Sequence, residues 1–283
     1  MTISQLLKVA PVTVILVVVF VGMYAFQVLS GVDANNPSTE ALVQWGANVL
    51  PLTMMDEPWR VISSAFLHVG LMHLLFNAFA MVLFGRIAEP LFGSLTFAAL
   101  FFLSAIGGNL LNNYVTWQGL LEGSMQPNIA AGASGGIMGI GAALLVAALF
   151  KLSIDGRVLS PKSMLLIMGI NLVYGFAVPG IDNAAHIGGA ITGGVIALAI
   201  AIDYKQRGRT AGAYLAAMYQ QTSNGVPYIP VTPTSPNQTR GMTEALPWIV
   251  MLILGAGFVW WWYDIHNEII DFLTTAAMTK GAS

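Results

Sequence analysis

From residue 9 onward the chain alternates long apolar runs with shorter polar breaks. The runs have the length a membrane-crossing helix needs, about 20 residues for a hydrocarbon core of about 30 Å. Seven runs qualify: 9–29, 62–84, 91–112, 133–150, 163–178, 184–202 and 246–263. The fifth is short and carries Asn171, and the second contains two histidines and an asparagine, a polar content that hydropathy alone does not explain. The pattern predicts an all-α polytopic membrane protein.

The breaks organise these spans. Between the first two lies a loop of residues 30–61, longer than a simple connection requires and containing EPWR at 57–60. From about Asp203 to Glu244 the composition turns polar, and NGVPYIPVTPTSPNQT supplies Pro, Ser, Thr and Asn but little that builds a core. This stretch predicts a six-span core over residues 1–205, a polar linker over 206–244, and a seventh span with its tail over 245–283, with few contacts across the linker. At the far end of the seventh span Trp260, Trp261, Trp262 and Tyr263 form an aromatic belt of the kind that settles at membrane interfaces. No internal repeat or inverted symmetry of the transporter kind is visible.

Composition agrees with the pattern and removes several functions. Charged residues make up 8% of the chain and mean hydropathy is +0.73, against about 25% charged in soluble domains. A net charge of −2 with no basic stripe excludes nucleic acid as a partner. Cysteine is absent, which removes disulfides and thiolate metal sites, and no metal or other cofactor is expected. The first run is too long for a signal-peptide core and reads as a retained span.

Loop charge sets an orientation, because Lys and Arg favour the cytoplasmic side. With the N-terminus inside, Lys8, Arg86, Lys151, Arg157, Lys162, Lys205, Arg207, Arg209 and Arg240 are cytoplasmic, and only Arg60 and Lys280 are outside. Seven spans then place the C-terminus outside, and the short N-terminal segment fits a bacterial inner membrane.

The chemistry collects in the even-numbered spans. His73 and Asn77, spaced i, i+4, share one helix face, with His68 five residues earlier. Such a face can simply make interhelical hydrogen bonds, although ionisable residues in a span cost about 2.5–3.5 kcal/mol and mark functional candidates. Residues 131–142 read AGASGGIMGIGA, and Gly135 and Gly139 form a GxxxG beside Ser134. In span 6, Gly189 and Gly193 follow His186 on its own face as a second GxxxG. Packing alone accounts for many such pairs, but two small-residue faces docked together would bring Ser134 to His186. Spans 2, 4 and 6 run in the same direction with their polar residues in the first half, so all these groups share one level.

A serine, an imidazole base and further donors at one level suit acyl transfer. His186 is the candidate base for Ser134. His73, Asn77 and the backbone N–H of Ser134 are candidate oxyanion donors, and Gly132 leaves that backbone open. Residues 132–136 also fit the G-x-S-x-G of soluble hydrolases, but that motif needs a strand–turn–helix context that an apolar polytopic chain does not provide. Asp182, four residues before His186, is either the acid of a triad or an N-cap; the N-cap, and with it a Ser–His dyad, is favoured.

On these residues the chain resembles the rhomboid family of intramembrane serine proteases. GASG at 132–135, HxxxN at 73–77, AHIGG at 185–189 and Trp59–Arg60 match its signature elements in order, over residues of about 10–205. The resemblance implies a rhomboid-like six-helix bundle with an appended seventh transmembrane helix. It implies Ser134 as nucleophile, His186 as base, and His73, Asn77 and the Ser134 N–H around the oxyanion. His68 and Gly189 become supporting residues, Trp59 and Arg60 stabilise the first loop at the membrane surface, and Glu89 ties helices together. One departure is Met138, four residues after the serine, where some members have an aromatic ring stacked on the histidine. The implied substrates are single-span membrane proteins cut in or near their membrane segment, with membrane lipid as the other partner. A non-catalytic scaffold of the same fold, holding such clients without cutting them, is the competing reading.

Overall fold

The computed structural model describes residues 2–123, 129–154, 157–177, 182–221 and 245–281. Along them run α1 (Ile3–Val9), α2 (Pro11–Leu29), α3 (Thr39–Gln44), β1 (Asn48–Val49), α4 (Leu50–Met54) and α5 (Arg60–Ser63), the last followed by a 3₁₀ turn at Ser64–Phe66. Next come α6 (Leu71–Phe92), α7 (Ser94–Leu121), β2 (Ile129–Ala130), α8 (Ser134–Leu149), β3 (Ser153–Ile154), β4 (Arg157–Val158), α9 (Pro161–Ala177), α10 (Asn183–Gln221) and α11 (Leu246–Gly281). Among the described residues, α2, α6, α7, α10 and α11 contain stretches long and apolar enough to cross a membrane, and α8 is a shorter apolar helix. The chain is an integral multi-pass membrane protein.

Several element bounds depart from the apolar pattern. The second span was expected over 62–84, but its helix begins at Leu71, because Gly70 takes φ +102° and turns the chain beneath the first loop. A side chain at Gly70 would meet the Asn35 carbonyl at 2.5 Å, and the Leu71 N–H donates to Ala34 O at 3.0 Å. The third helix runs 28 residues, well past the expected end at 112, because Asn109, Asn112, Asn113 and Thr116 are buried within the protein rather than marking a loop. The sixth continues to Gln221, so residues 206–221 of the stretch read as linker are helical, and 222–244 lie outside the described residues.

At the end of the bundle remote from the serine, Glu89 ties three helices. Pro11 opens α2 after Ala10, which has no side chain to cap the helix, so its first N–H groups need another acceptor. The buried Glu89 carboxylate, from α6, accepts from Val12 N–H at 2.9 Å and from Thr13 N–H and Oγ1 at 2.8 Å. It also accepts from Ser94 Oγ at 2.6 Å, at the start of α7. A negative group at a helix N-terminus is further favoured by the helix dipole.

The appended helix is docked on the core, contrary to the few contacts expected across a polar linker. Ile265 and Ile269 of α11 share a buried cluster with Leu50 and Met54 of α4 and Leu110 and Trp117 of α7. Trp117 Nε1 donates to Glu268 at 2.9 Å, Trp262 Nε1 donates to Thr53 O at 2.9 Å, and His266 Nδ1 meets Met54 O at 2.6 Å. The expected aromatic belt therefore divides: Trp260 and Tyr263 are exposed, while Trp261 packs on Tyr114 and Trp262 pins the first loop.

Glu89→Ala is expected to lower stability by about 3 kcal/mol, since several donors lose their acceptor together, with Glu89→Gln intermediate; thermal denaturation in detergent measures both. Trp262→Phe should cost about 1 kcal/mol for the lost hydrogen bond and Trp262→Ala about 3 kcal/mol. Equal thermal transitions for wild type and Trp262→Ala would show that α11 adds nothing to the core.

Candidate active site

Ser134 is the first residue of α8, which has 16 residues and hence a length of about 24 Å, less than the roughly 30 Å of a hydrocarbon core. Its N-terminus is thus set within the thickness of the bundle, and the chain must reach it without helix. Backbone at that depth needs partners inside the protein. Ile129–Ala130 pairs antiparallel with Asn48–Val49 of the first loop, and the Gly132 N–H donates to Ser64 O at 2.9 Å. Gly132 has φ +141°, a conformation side chains rarely take, and a Cβ there would lie 2.7 Å from His73 Cε1, 3.0 Å from His73 Nε2 and 3.7 Å from Asn77 Nδ2. Only glycine lets the backbone before Ser134 come this near the two side chains.

These two side chains stand one turn apart at the start of α6. The Val69 N–H donates to His73 Nδ1 at 3.2 Å, so the neutral imidazole carries its proton on Nε2, the nitrogen that faces Gly132. Asn77 is buried, and its Nδ2 has no hydrogen-bond partner. A buried amide donor left unpaired is costly, and no interhelical hydrogen bond to Nδ2 explains it. His68 is buried beside His73, ring centroids 5.5 Å apart, with Phe20 on its other side at 5.5 Å.

His186 enters from α10, in the turn after the Asp182 cap. The Asp182 carboxylate accepts from the Ala185 N–H at 3.0 Å and its carbonyl accepts from the His186 N–H at 3.2 Å, which is N-cap geometry. The adjoining helix lies directly on α8: a Cβ at Gly189 would collide with Gly135 O, and one at Gly193 with the backbone of Gly139. α7 contributes a glycine face that the sequence reading missed, with Gly188 against Gly107 O and Gly108 against Ala185 O. The first turns of α8 and α10, which carry Ser134 and His186, are therefore held backbone to backbone. Both ring nitrogens of His186 are buried without a hydrogen bond, so the serine–imidazole bond is not made in this structure; such bonds often tighten only with substrate. Met138 is buried one turn beyond Ser134 on α8.

A small cavity opens on the serine, lined by His73, Gly132, Ser134, Asp182 and Asn109 among others. Its interior of about 20 Å³ has room for about one water. The apolar pattern does not mark Asn109, which lies inside the third run. It donates to Val61 O and to Ser64 Oγ, both at 2.9 Å, while Asn48 bonds Asn112 at 3.1 Å and Asn113 at 2.9 Å. The signal was present as NLLNN in an apolar helix, three asparagines on one face.

Trp59 and Arg60 lie apart from the cavity and organise the first loop. The buried Arg60 guanidinium bonds Glu57 at 2.7 and 2.6 Å, Val43 O at 2.6 Å and Ala47 O at 3.0 Å, and sits 4.8 Å from the Trp59 ring. That loop holds Asn48 and Ser64 in place and, through them, the backbone leading to Gly132.

The rhomboid domain model matches residues 55–202. The chain is 34% identical over 171 residues to rhomboid protease GluP of Bacillus subtilis (strain 168), covering 60% of this chain and 32% of that protein. It is 33% identical over 172 residues to RHOMBOID-like protein 6, mitochondrial, of Arabidopsis thaliana, covering 60% and 53%. Over 212 residues it is 30% identical to rhomboid protease AarA of Providencia stuartii, covering 69% and 74%. The chain thus spans from about a third to about half the length of the first two relatives. With the domain match covering more than half of its residues, and the AarA likeness extending over most of both proteins, this chain belongs to the rhomboid family.

Proposed function

We propose that this chain is an intramembrane serine protease that cleaves single-span membrane proteins in or near their membrane segment, with Ser134 as nucleophile and His186 as general base. The observation that carries the reading is the cradle at Gly132: a donor-bearing His73 Nε2 and an unpaired Asn77 Nδ2 converge on the glycine two residues before a serine that opens a helix. GluP and AarA are both named proteases, which supports the same conclusion.

The chemistry follows from these positions. His186 takes the hydroxyl proton as Ser134 Oγ attacks the scissile carbonyl carbon, and the carbonyl oxygen becomes an oxyanion. His73 Nε2–H, Asn77 Nδ2–H and the Ser134 N–H stabilise that charge. Collapse expels the amine, which leaves with the proton held on His186, and an acyl-enzyme remains on Ser134. A water, deprotonated by His186, then attacks the ester; the second tetrahedral intermediate releases the acid and returns the proton to Ser134. His68 steadies the His73 ring, Met138 fills the place beyond the serine, and Gly189 holds α10 against α8. Water has to reach this depth, and the cavity beside Ser134 has room for about one molecule. Loop charge favours an orientation with the N-terminus cytoplasmic and the C-terminus outside.

Two measurements test the proposal. A fluorophosphonate probe is expected to label Ser134, and Ser134→Ala should abolish both labelling and cleavage of a model single-span substrate in detergent; equal cleavage by the variant would move the nucleophile elsewhere, and a wild type that folds and binds clients without cutting them would make it a scaffold. Asn77→Ala should lower turnover by about ten- to a thousandfold with little change in substrate affinity, read from kcat and KM separately.

A further inference from the structure

In the first loop, α4 is a helix of five residues, Leu50–Met54, too short to hold its shape alone. Its last carbonyls need donors, and the chain beyond it does not supply them. The Asp56 and Glu57 N–H groups both turn back to Leu52 O, at 3.2 and 2.9 Å, and residue 58 is Pro, which has no N–H to offer Met54 O. Among the described residues no backbone N–H reaches Thr53 O or Met54 O, and both residues are fully buried. The two donors come instead from α11: Trp262 Nε1–H for Thr53 O at 2.9 Å and His266 Nδ1 for Met54 O at 2.6 Å. A carbonyl oxygen only accepts, so that imidazole nitrogen carries its proton. The two side chains are one turn apart with their rings stacked, 5.1 Å between centroids and 11° between planes, which aims them at successive carbonyls.

The other end of α4 is joined to the candidate site. β1 runs straight into α4, and Thr53, whose carbonyl Trp262 holds, uses its Oγ1 to accept from the Val49 N–H at 3.1 Å. Val49 lies opposite Ile129 and Asn48 opposite Ala130, just ahead of Gly132 and Ser134 in the chain. A pair of two-residue strands has no stability of its own, so its place is set by the elements to which it is attached. One path of bonds therefore runs from α11 through α4 and β1 to β2, and so to the backbone that carries Gly132 and the serine.

We infer that Trp262 and His266 are positioning residues for Ser134: their N–H groups fix the end of α4 and thereby the strand pair that sets the serine backbone, so that α11 governs turnover and not stability alone. The inference deepens the protease reading and rests on it for its catalytic half. A misplacement of about 1 Å at a nucleophile or an oxyanion donor costs about a hundredfold in rate. Loss of one of the two donors leaves α4 seated, because Leu50 and Met54 stay in their cluster with Ile265 and Ile269. The displacement is then a fraction of that, and the rate loss about tenfold. It falls on kcat rather than KM, since groups that contact the rest of a substrate are not moved.

The test uses the full chain in detergent, below its thermal transition, with a model single-span substrate. His266→Leu, which keeps bulk without a donor, and Trp262→Phe, which removes one N–H, should each lower kcat about tenfold at nearly constant KM. His266→Asn restores a short amide donor and should return most of the rate. Hydrogen exchange read by mass spectrometry should quicken in His266→Leu over residues 47–54 and 129–133 and stay unchanged around Glu89. Glu89→Ala is the stability control: it loosens the remote end and should keep the wild-type kcat. Wild-type kcat in His266→Leu, a rate loss that His266→Asn fails to repair, or an equal loss in Glu89→Ala overturns the proposal. A wild type that neither cuts nor labels at Ser134 overturns the protease reading and the catalytic half of the proposal with it. The exchange measurement decides the other half separately, and unchanged exchange in His266→Leu breaks the link from α11 to the serine backbone. Should His266→Leu not fold, Trp262→Phe decides by the same two readouts.

Discussion

The contact on which everything else depends is the one between the glycine faces of α8 and α10. With no hydrophobic drive between helices inside a membrane, association relies on close van der Waals contact and on polar groups meeting across the interface. Here Gly189 and Gly193 lie on Gly135 and Gly139 with no room for a Cβ, and Gly107 and Gly108 of α7 close the third side. Three backbones meet where a single methyl group would separate them. The first turns of two helices, carrying Ser134 and His186, are placed by this contact and not by any side-chain bond between them.

The same end of the bundle has to accommodate non-helical backbone at a depth where water does not satisfy it. It does so with a layered set of polar side chains. Arg60 gathers the carbonyls of Val43 and Ala47, Asn48 joins Asn112 and Asn113, and Asn109 reaches Val61 O and Ser64. Ser64 in turn accepts from the Gly132 N–H. The first loop is thus the support of the site as well as its cover, and α11 adds to that support through Trp262 on Thr53. At the far end Glu89 performs the reverse task, capping a helix whose own sequence has no cap. Both ends use buried polar groups, but for opposite reasons: one keeps loop backbone inside the protein, the other joins helices that begin and end together.

Much of this was legible in the residues. Apolar run length predicted seven helices, of which five, among the described residues, are long and apolar enough to cross a membrane. The expected direction of alternate spans predicted that Ser134, His186, His73 and Asn77 share one level. Both GxxxG faces were visible, since i, i+4 spacing of small residues is a local property of a helix. The asparagines of α7 were visible as letters but not as a network, because their partners are more than forty residues away and belong to a loop.

What the sequence by itself determined is the set of apolar helices and the chemical identity of the polar groups they carry, both consequences of local spacing and of the length of a bilayer. What only the tertiary structure decided is where backbone stops being helix and which polar groups meet. The start of α6 at Leu71 depends on a positive φ at Gly70 beneath Asn35. The tautomer of His73 depends on the Val69 N–H, the Asp182 cap on where α10 begins, and the docking of α11 on side chains of α4 and α7. Each is a meeting of groups whose separation in space is set by packing, and run length and periodicity along the chain carry no information about that separation.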